Sequence, residues 1–199
     1  MVDRVPGPPP PRTIVIGLGN PVLGDDGVGW RVADEVERLL DAARDAGLAL
    51  PDVQIERLGV GGLSLMETLT NYDAAILVDA AEFPNRPAGE VRSCCFEDLA
   101  DHAAGHLDSA HDASLSHALA LGRRLGASLP DRIQTVTIQA HRTDEFSEEL
   151  SPEVAAAVPE AARAVFDLIA AEPRQPWKAN AAPAPDQRLN AEEGRDRLA

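Results

Sequence analysis

Two adjacent carboxylates stand between glycines in Gly24-Asp25-Asp26-Gly27-Val28-Gly29. Acidic groups favour a helix N-terminus, and one aspartate suffices to cap a helix. A second beside it, flanked by glycine, is expected to project into an open cleft. A third carboxylate, Asp79, directly follows the run Ala74-Ala75-Ile76-Leu77-Val78. That places it at the carboxyl edge of a buried strand, although one such residue alone reads as a turn former. His111 lies in Ser109-Ala110-His111-Asp112-Ala113-Ser114-Leu115, where a helical pattern begins. Asp26, Asp79 and His111 together would make a set of two oxygens and one nitrogen. Such a set suits a divalent metal of borderline hardness, nickel or zinc among them, with positions left open. An open three-ligand site serves exchange or chemistry, not structural stapling.

Other residues offer less. His102 and His106 are four apart, a spacing that chelates metal on a helix, but Gly105 and flanking aspartates make the segment read as solvated loop. His117 and His141 default to structural or surface roles. Cys94 and Cys95 are adjacent, so on an extended chain they face opposite ways and a disulfide between them would be strained. They read as small, half-buried strand residues. No G-x-S-x-G elbow occurs, which disfavours a nucleophilic triad. Gly17-Leu18-Gly19-Asn20-Pro21 lacks the helix that a dinucleotide fingerprint needs at its third glycine, and the Asp pair at its mouth would repel a pyrophosphate.

These residues need a frame to hold them. Thr13–Ile16 and Ala74–Val78 read as buried strands, Val53–Arg57, Gly89–Phe96 and Ile133–Gln139 as further strands. Helical spacing predicts helices over about 27–46, Leu63–Leu69 and Ala113–Leu125, the last with Leu115, Leu119 and Leu125 inward. Ser151-Pro152-Glu153 starts a short helix, and Pro159 is expected to start a longer one to Ala171. Alternating strands and helices predict an α/β fold: a three-layer sandwich, phosphorylase/hydrolase-like, with a twisted, mostly parallel sheet of about five strands and helices on both faces. In such sheets ligands bind outside the carboxyl ends of the strands, where both Asp groups are delivered.

Proline marks the ends of the chain. Residues 1–12 read as a disordered proline-rich leader, 13–171 as a single domain, and 172–199 as a polar tail in which Trp177 is the one residue suited to docking. A length of 199 residues fits one domain, and 44% hydrophobic residues fit a real core. Eighteen basic against thirty-three acidic side chains give a net charge of -15, which argues against nucleic acid as partner. No apolar run reaches the roughly 20 residues of a membrane span, and no apolar signal core opens the chain. A reducing cytoplasm is the expected compartment.

Gly17-Leu18-Gly19-Asn20, then Asp25-Asp26-Gly27-Val28-Gly29, then a strand-terminal Asp79, then Ser109-Ala110-His111 with Leu115, resemble the hydrogenase maturation proteases over about residues 13–171. The resemblance implies an endopeptidase that removes a C-terminal extension from the large subunit of a nickel-iron hydrogenase, and only after nickel insertion. It implies that the family's metal-contacting residues fall on Asp26, Asp79 and His111. It also implies a monomer whose partner is the nickel-loaded precursor, with the nickel carried by the substrate and no cofactor bound permanently. The glycine-rich Gly59–Ser64 stretch departs in detail from the family's glycine turn, and both tails lie outside its pattern.

Two other readings compete. A non-cleaving module could use the same trio to dock on or chaperone the large subunit. Ile16-Gly17-Leu18-Gly19-Asn20-Pro21 also resembles the opening of peptidyl-tRNA hydrolases, but their Arg-His-Asn segment is replaced by Gly24-Asp25-Asp26-Gly27, and no histidine precedes His102.

Overall fold

A computed structural model of the chain describes residues 12–59, 61–98 and 110–171, with side chains from Leu115 onward in the last segment. Five strands form one sheet: β1 (Thr13–Leu18), β2 (Val53–Leu58), β3 (Ala74–Ala81), β4 (Val91–Cys95) and β5 (Arg132–Gln139). Their order is β2-β1-β3-β5-β4. The first four run parallel, and β4 lies antiparallel on β5. Four helices lying wholly within the described residues cover the sheet: α1 (Val28–Asp45), α2 (Gly62–Thr68), α3 (Ala110–Arg124) and α4 (Pro152–Ala170). This is the expected three-layer α/β arrangement.

Strand periodicity of two builds both layers. Ile14, Ile16 and Leu18 point to one face and pack with Leu65 of α2, Leu69 just after it, and Leu115 and Leu119 of α3. Val15, Ile76 and Val78 point to the other and pack with Val28, Val32 and Val36 of α1 and Val154, Ala161 and Val165 of α4. β1 is buried throughout except at its first residue, as a central parallel strand must be. Arg57 at the end of β2 pairs with Asp34 at 2.6 Å and Glu37 at 2.7 Å, which pins the edge strand to α1.

Beyond shifts of two or three residues at the ends of β1, β4 and α3, the structure differs from the expected elements at three places. β3 continues past Asp79 to Ala81, because the neighbouring strand β5 is long enough to pair Asp79, Ala80 and Ala81 with Thr137, Ile138 and Gln139. Asp79 therefore lies inside the strand and does not end it. Leu125 is 77% exposed, one residue past the end of α3, where Gly126 reverses the chain at φ 83°. Pro159 neither starts nor breaks a helix: α4 is continuous from Pro152 to Ala170. Pro159 and Ala155 both lie on the solvent side, so the Ala155 carbonyl left without an N–H partner meets water.

No helix among the described residues is long and apolar enough to cross a membrane. The proline-rich leader apart from Arg12, the tail with Trp177, and the His102 and His106 pair lie outside the described residues.

Candidate active site

The chain leaves β1 at the carboxyl edge of the sheet and turns at once. Gly19 N–H donates to Leu58 O at 3.1 Å, and Leu23 N–H donates to Asn20 O at 3.1 Å. The Asn20 side chain accepts from Val22 N–H at 3.2 Å, the local bonding expected of Asn in a turn. A 3-10 turn, Gly24–Gly27, then carries Asp25 and Asp26 directly into α1. Gly17 and Gly29 let this helix start close to the sheet: a Cβ on Gly29 would collide with Leu18 O and lie 2.6 Å from Val78 O. The start of α1 therefore sits against the residue immediately before Asp79, and the turn itself packs on β3.

The two aspartates separate within this turn. Asp25 is 1% exposed. Its Oδ1 accepts from Ser151 N–H at 2.6 Å and its Oδ2 from the Ser151 hydroxyl at 3.0 Å. Asp26 is only partly buried, and its Oδ2 accepts from Asn20 N–H at 2.6 Å. Neither aspartate caps α1, whose N-cap residue Gly27 has no side-chain bond. Of the expected pair, one carboxylate does sit at a helix start, but the helix is α4 and not the one that follows it in sequence. The other is the more open one.

Asp79 is 8% exposed, and the alternation of β3 turns it to the face that Ala75 and Leu77 share with α2 and α3. Its register partner on β5 is Thr137. The Thr137 hydroxyl is buried and has no hydrogen-bond partner among the described residues. This polar position beside Asp79 is one that sequence reasoning passed over; its only signal is a threonine in a strand that mixes Ile133, Val136 and Ile138 with polar residues yet is buried after its first position. His111 lies in the first turn of α3, which packs with α2 on the face that Asp79 addresses. Its side chain lies outside the described residues. Among the described residues no three His, Cys, Asp or Glu side chains gather as a metal site.

The remaining candidates take structural places. His117 and His141 are exposed. Cys94 and Cys95 are half-buried on β4, and the Cys94 thiol lies 3.2 Å from the Thr135 hydroxyl. Burial pushes the Cys94 pKa up, which removes it further from thiolate chemistry at neutral pH.

Fold and site define an α/β protein with carboxylates delivered to the carboxyl edge of a mostly parallel sheet. A family model described as hydrogenase maturation protease matches residues 31–168, and the chain belongs to that family. The matched range includes the positions of Asp79 and His111 and begins just after Asp26. Hydrogenase expression/formation protein HupD of Rhodobacter capsulatus is 29% identical over 147 residues, covering 73% of this chain and 65% of the relative. HupD of Thiocapsa roseopersicina is 23% identical over 144 residues, covering 72% of this chain and 61% of the relative. The chain thus spans less than two thirds of the length of both. Among solved structures, the hydrogenase maturating endopeptidase HybD from E. coli superposes with a TM-score of 0.65 at 25% identity, covering 80% of this chain and 92% of that one.

Proposed function

We propose that this chain is an endopeptidase that removes the C-terminal extension of a nickel-iron hydrogenase large subunit after nickel has been inserted. The reading rests on one observation above all: in a chain of this family, a partly open Asp26 and the strand residue Asp79 are carried to one edge of the sheet. The nickel is part of the substrate, already held by substrate cysteines, and the chain needs no cofactor of its own. Asp26, Asp79 and His111 complete its coordination, two oxygens and a nitrogen suiting a borderline metal. The metal would then polarise the scissile carbonyl or lower the pKa of a bound water towards neutrality. A precursor without nickel brings no metal whose coordination these groups can complete, so cleavage waits for it. We read the enzyme as a monomer working in the cytoplasm.

The test is incubation with a nickel-loaded precursor, read by mass spectrometry as release of a C-terminal peptide. Wild-type protein is expected to release it, and Asp26→Asn, Asp79→Asn and His111→Ala each to lower kcat/KM by at least about a hundredfold, since misplacing the reacting group alone costs that much. Undiminished cleavage by the two Asn variants would sink the site assignment. Binding of the precursor without cleavage by the wild type would turn the reading to a docking module.

A further inference from the structure

Asp25 presents an arrangement that neither capping of the helix following it nor metal binding accounts for. It is only 1% exposed, and both of its side-chain oxygens are occupied by one residue, Ser151, 126 positions away. Ser151 is the N-cap residue of α4, and its hydroxyl makes no bond to its own helix. The hydroxyl that would ordinarily accept from the first turn donates to Asp25 instead. The Asp25 carboxyl group thus takes the N-terminal position of α4 that a capping side chain would otherwise fill. The site turn caps a helix from the other end of the chain.

The same turn is sewn to the segment leading into α4. Gly24 N–H donates to Ser147 O at 2.7 Å, Asp25 N–H to Arg142 O at 2.9 Å, and Ser147 N–H to Val22 O at 3.1 Å. Leu23 and Ser147 form a parallel bridge. Arg31, one turn into α1, donates to Glu148 O at 3.1 Å. Residues 142–151 and the turn therefore form one body, and the Asp25 carboxylate is its only buried side-chain link among the described residues. Asp26 is the next residue. In a tight turn consecutive side chains diverge, so holding Asp25 inward determines where Asp26 points.

We propose that Asp25 is a positioning residue for Asp26: by capping α4 from the site turn it fixes the carboxylate that meets the substrate's metal. This deepens the peptidase reading and rests on it. Asp25 touches neither metal nor peptide. Its work is geometric, so an isostere that keeps the two bonds should keep the function. In Asp25→Asn the amide oxygen still accepts from Ser151 N–H, and the amide nitrogen can donate to the Ser151 oxygen.

Cleavage of nickel-loaded precursor is measured alongside precursor binding for Asp25→Asn, Asp25→Ala, Ser151→Thr and Ser151→Ala. Asp25→Ala is expected to lose about a hundredfold in kcat with KM nearly unchanged, the loss typical of a misplaced reacting group. Asp25→Asn and Ser151→Thr should stay within about threefold of wild type, and Ser151→Ala should fall between. Asp25→Asn as inactive as Asp25→Ala would overturn the proposal, because the charge itself would then be required. Wild-type kcat in Asp25→Ala would overturn it as well. Amide hydrogen exchange provides a readout that does not depend on cleavage. Asp25→Ala should speed exchange at Gly24, Asp25 and Ser147, and Asp25→Asn should not. If the wild type itself cleaves nothing, the peptidase reading fails, while unchanged exchange in Asp25→Ala is what rejects the latch. Should Asp25→Ala fail to fold, Ser151→Ala against Ser151→Thr carries the same comparison.

Discussion

Gly29 sits where α1 leaves the site turn, wedged between the carbonyls of Leu18 and Val78. A methyl group there has nowhere to go, because both neighbours are backbone of central strands and neither can yield without shifting β1 or β3. Gly19 is constrained in the same way on the other side of the turn: its φ is 112°, and a Cβ would strike the Asp26 carbonyl. Gly19 and Gly29, on either side of the site turn, therefore serve close approach of the turn and α1 to the sheet. Gly29→Ala is expected to destabilise the fold by about 2–4 kcal/mol, the scale of overpacking that must move backbone. Urea denaturation checks it, and a change within about 0.5 kcal/mol, the range of neutral surface substitutions, would contradict the packing argument. At this scale the sequence already distinguished an acidic pair from ordinary surface charge and picked Asp26 for the site, but not what holds Asp25 inward. That partner is Ser151, far along the chain, and no local pattern around Asp25 points to it.

At the scale of elements, the strands and helices were legible wherever periodicity and burial agree. Their limits were not legible where a distant partner decides them. Val78-Asp79-Ala80-Ala81 has the composition of a strand ending, and only the length of β5 keeps it paired. Pro159 has the local signature of a helix start, but seven residues before it Ser151-Pro152 already begin α4, whose apolar face, Val154, Ala157, Ala161, Ala162 and Val165, runs unbroken across the proline. Packing of that face on α1 outweighs the local penalty. The penalty should therefore be recoverable. Pro costs about 3 kcal/mol relative to Ala inside a helix, and its stiffening of the unfolded chain returns up to about 1 kcal/mol. Pro159→Ala is thus expected to raise stability by roughly 2 kcal/mol through a restored bond to the Ala155 carbonyl. Chemical denaturation that showed no gain would mean α4 is already bent to relieve the clash.

For the whole molecule the dominant electrostatic fact is a net charge of -15. Two effects of salt then compete. Screening weakens the attractive pairs, of which Arg57 with Asp34 and Glu37 is the best built, its guanidinium divided between two carboxylates and its pKa raised by those hydrogen bonds despite the opposing effect of partial burial. Screening also relieves the repulsion among the surplus acidic groups, which destabilises a compact chain. Every ion pair described here has at least one partner that is half exposed or nearly so, and such pairs contribute about 0–1 kcal/mol each. Repulsion acts over longer distances, and the screening length shortens from about 30 Å at 0.01 M to about 10 Å at 0.1 M salt, comparable to the spacing between surface charges. Relief of repulsion should therefore win. The melting temperature is expected to rise between 0.01 M and 0.15 M sodium chloride, by about 2–4 °C if the net relief is near 1 kcal/mol for a chain of this size. A calorimetric scan that showed a fall instead would mean the ion pairs, Arg57 first among them, outweigh the surplus charge. Arg57→Gln would then lose that salt sensitivity. The acidic surplus also has a local counterpart at the sheet edge, where Asp25 and Asp26 follow β1 and Asp79 lies near the end of β3.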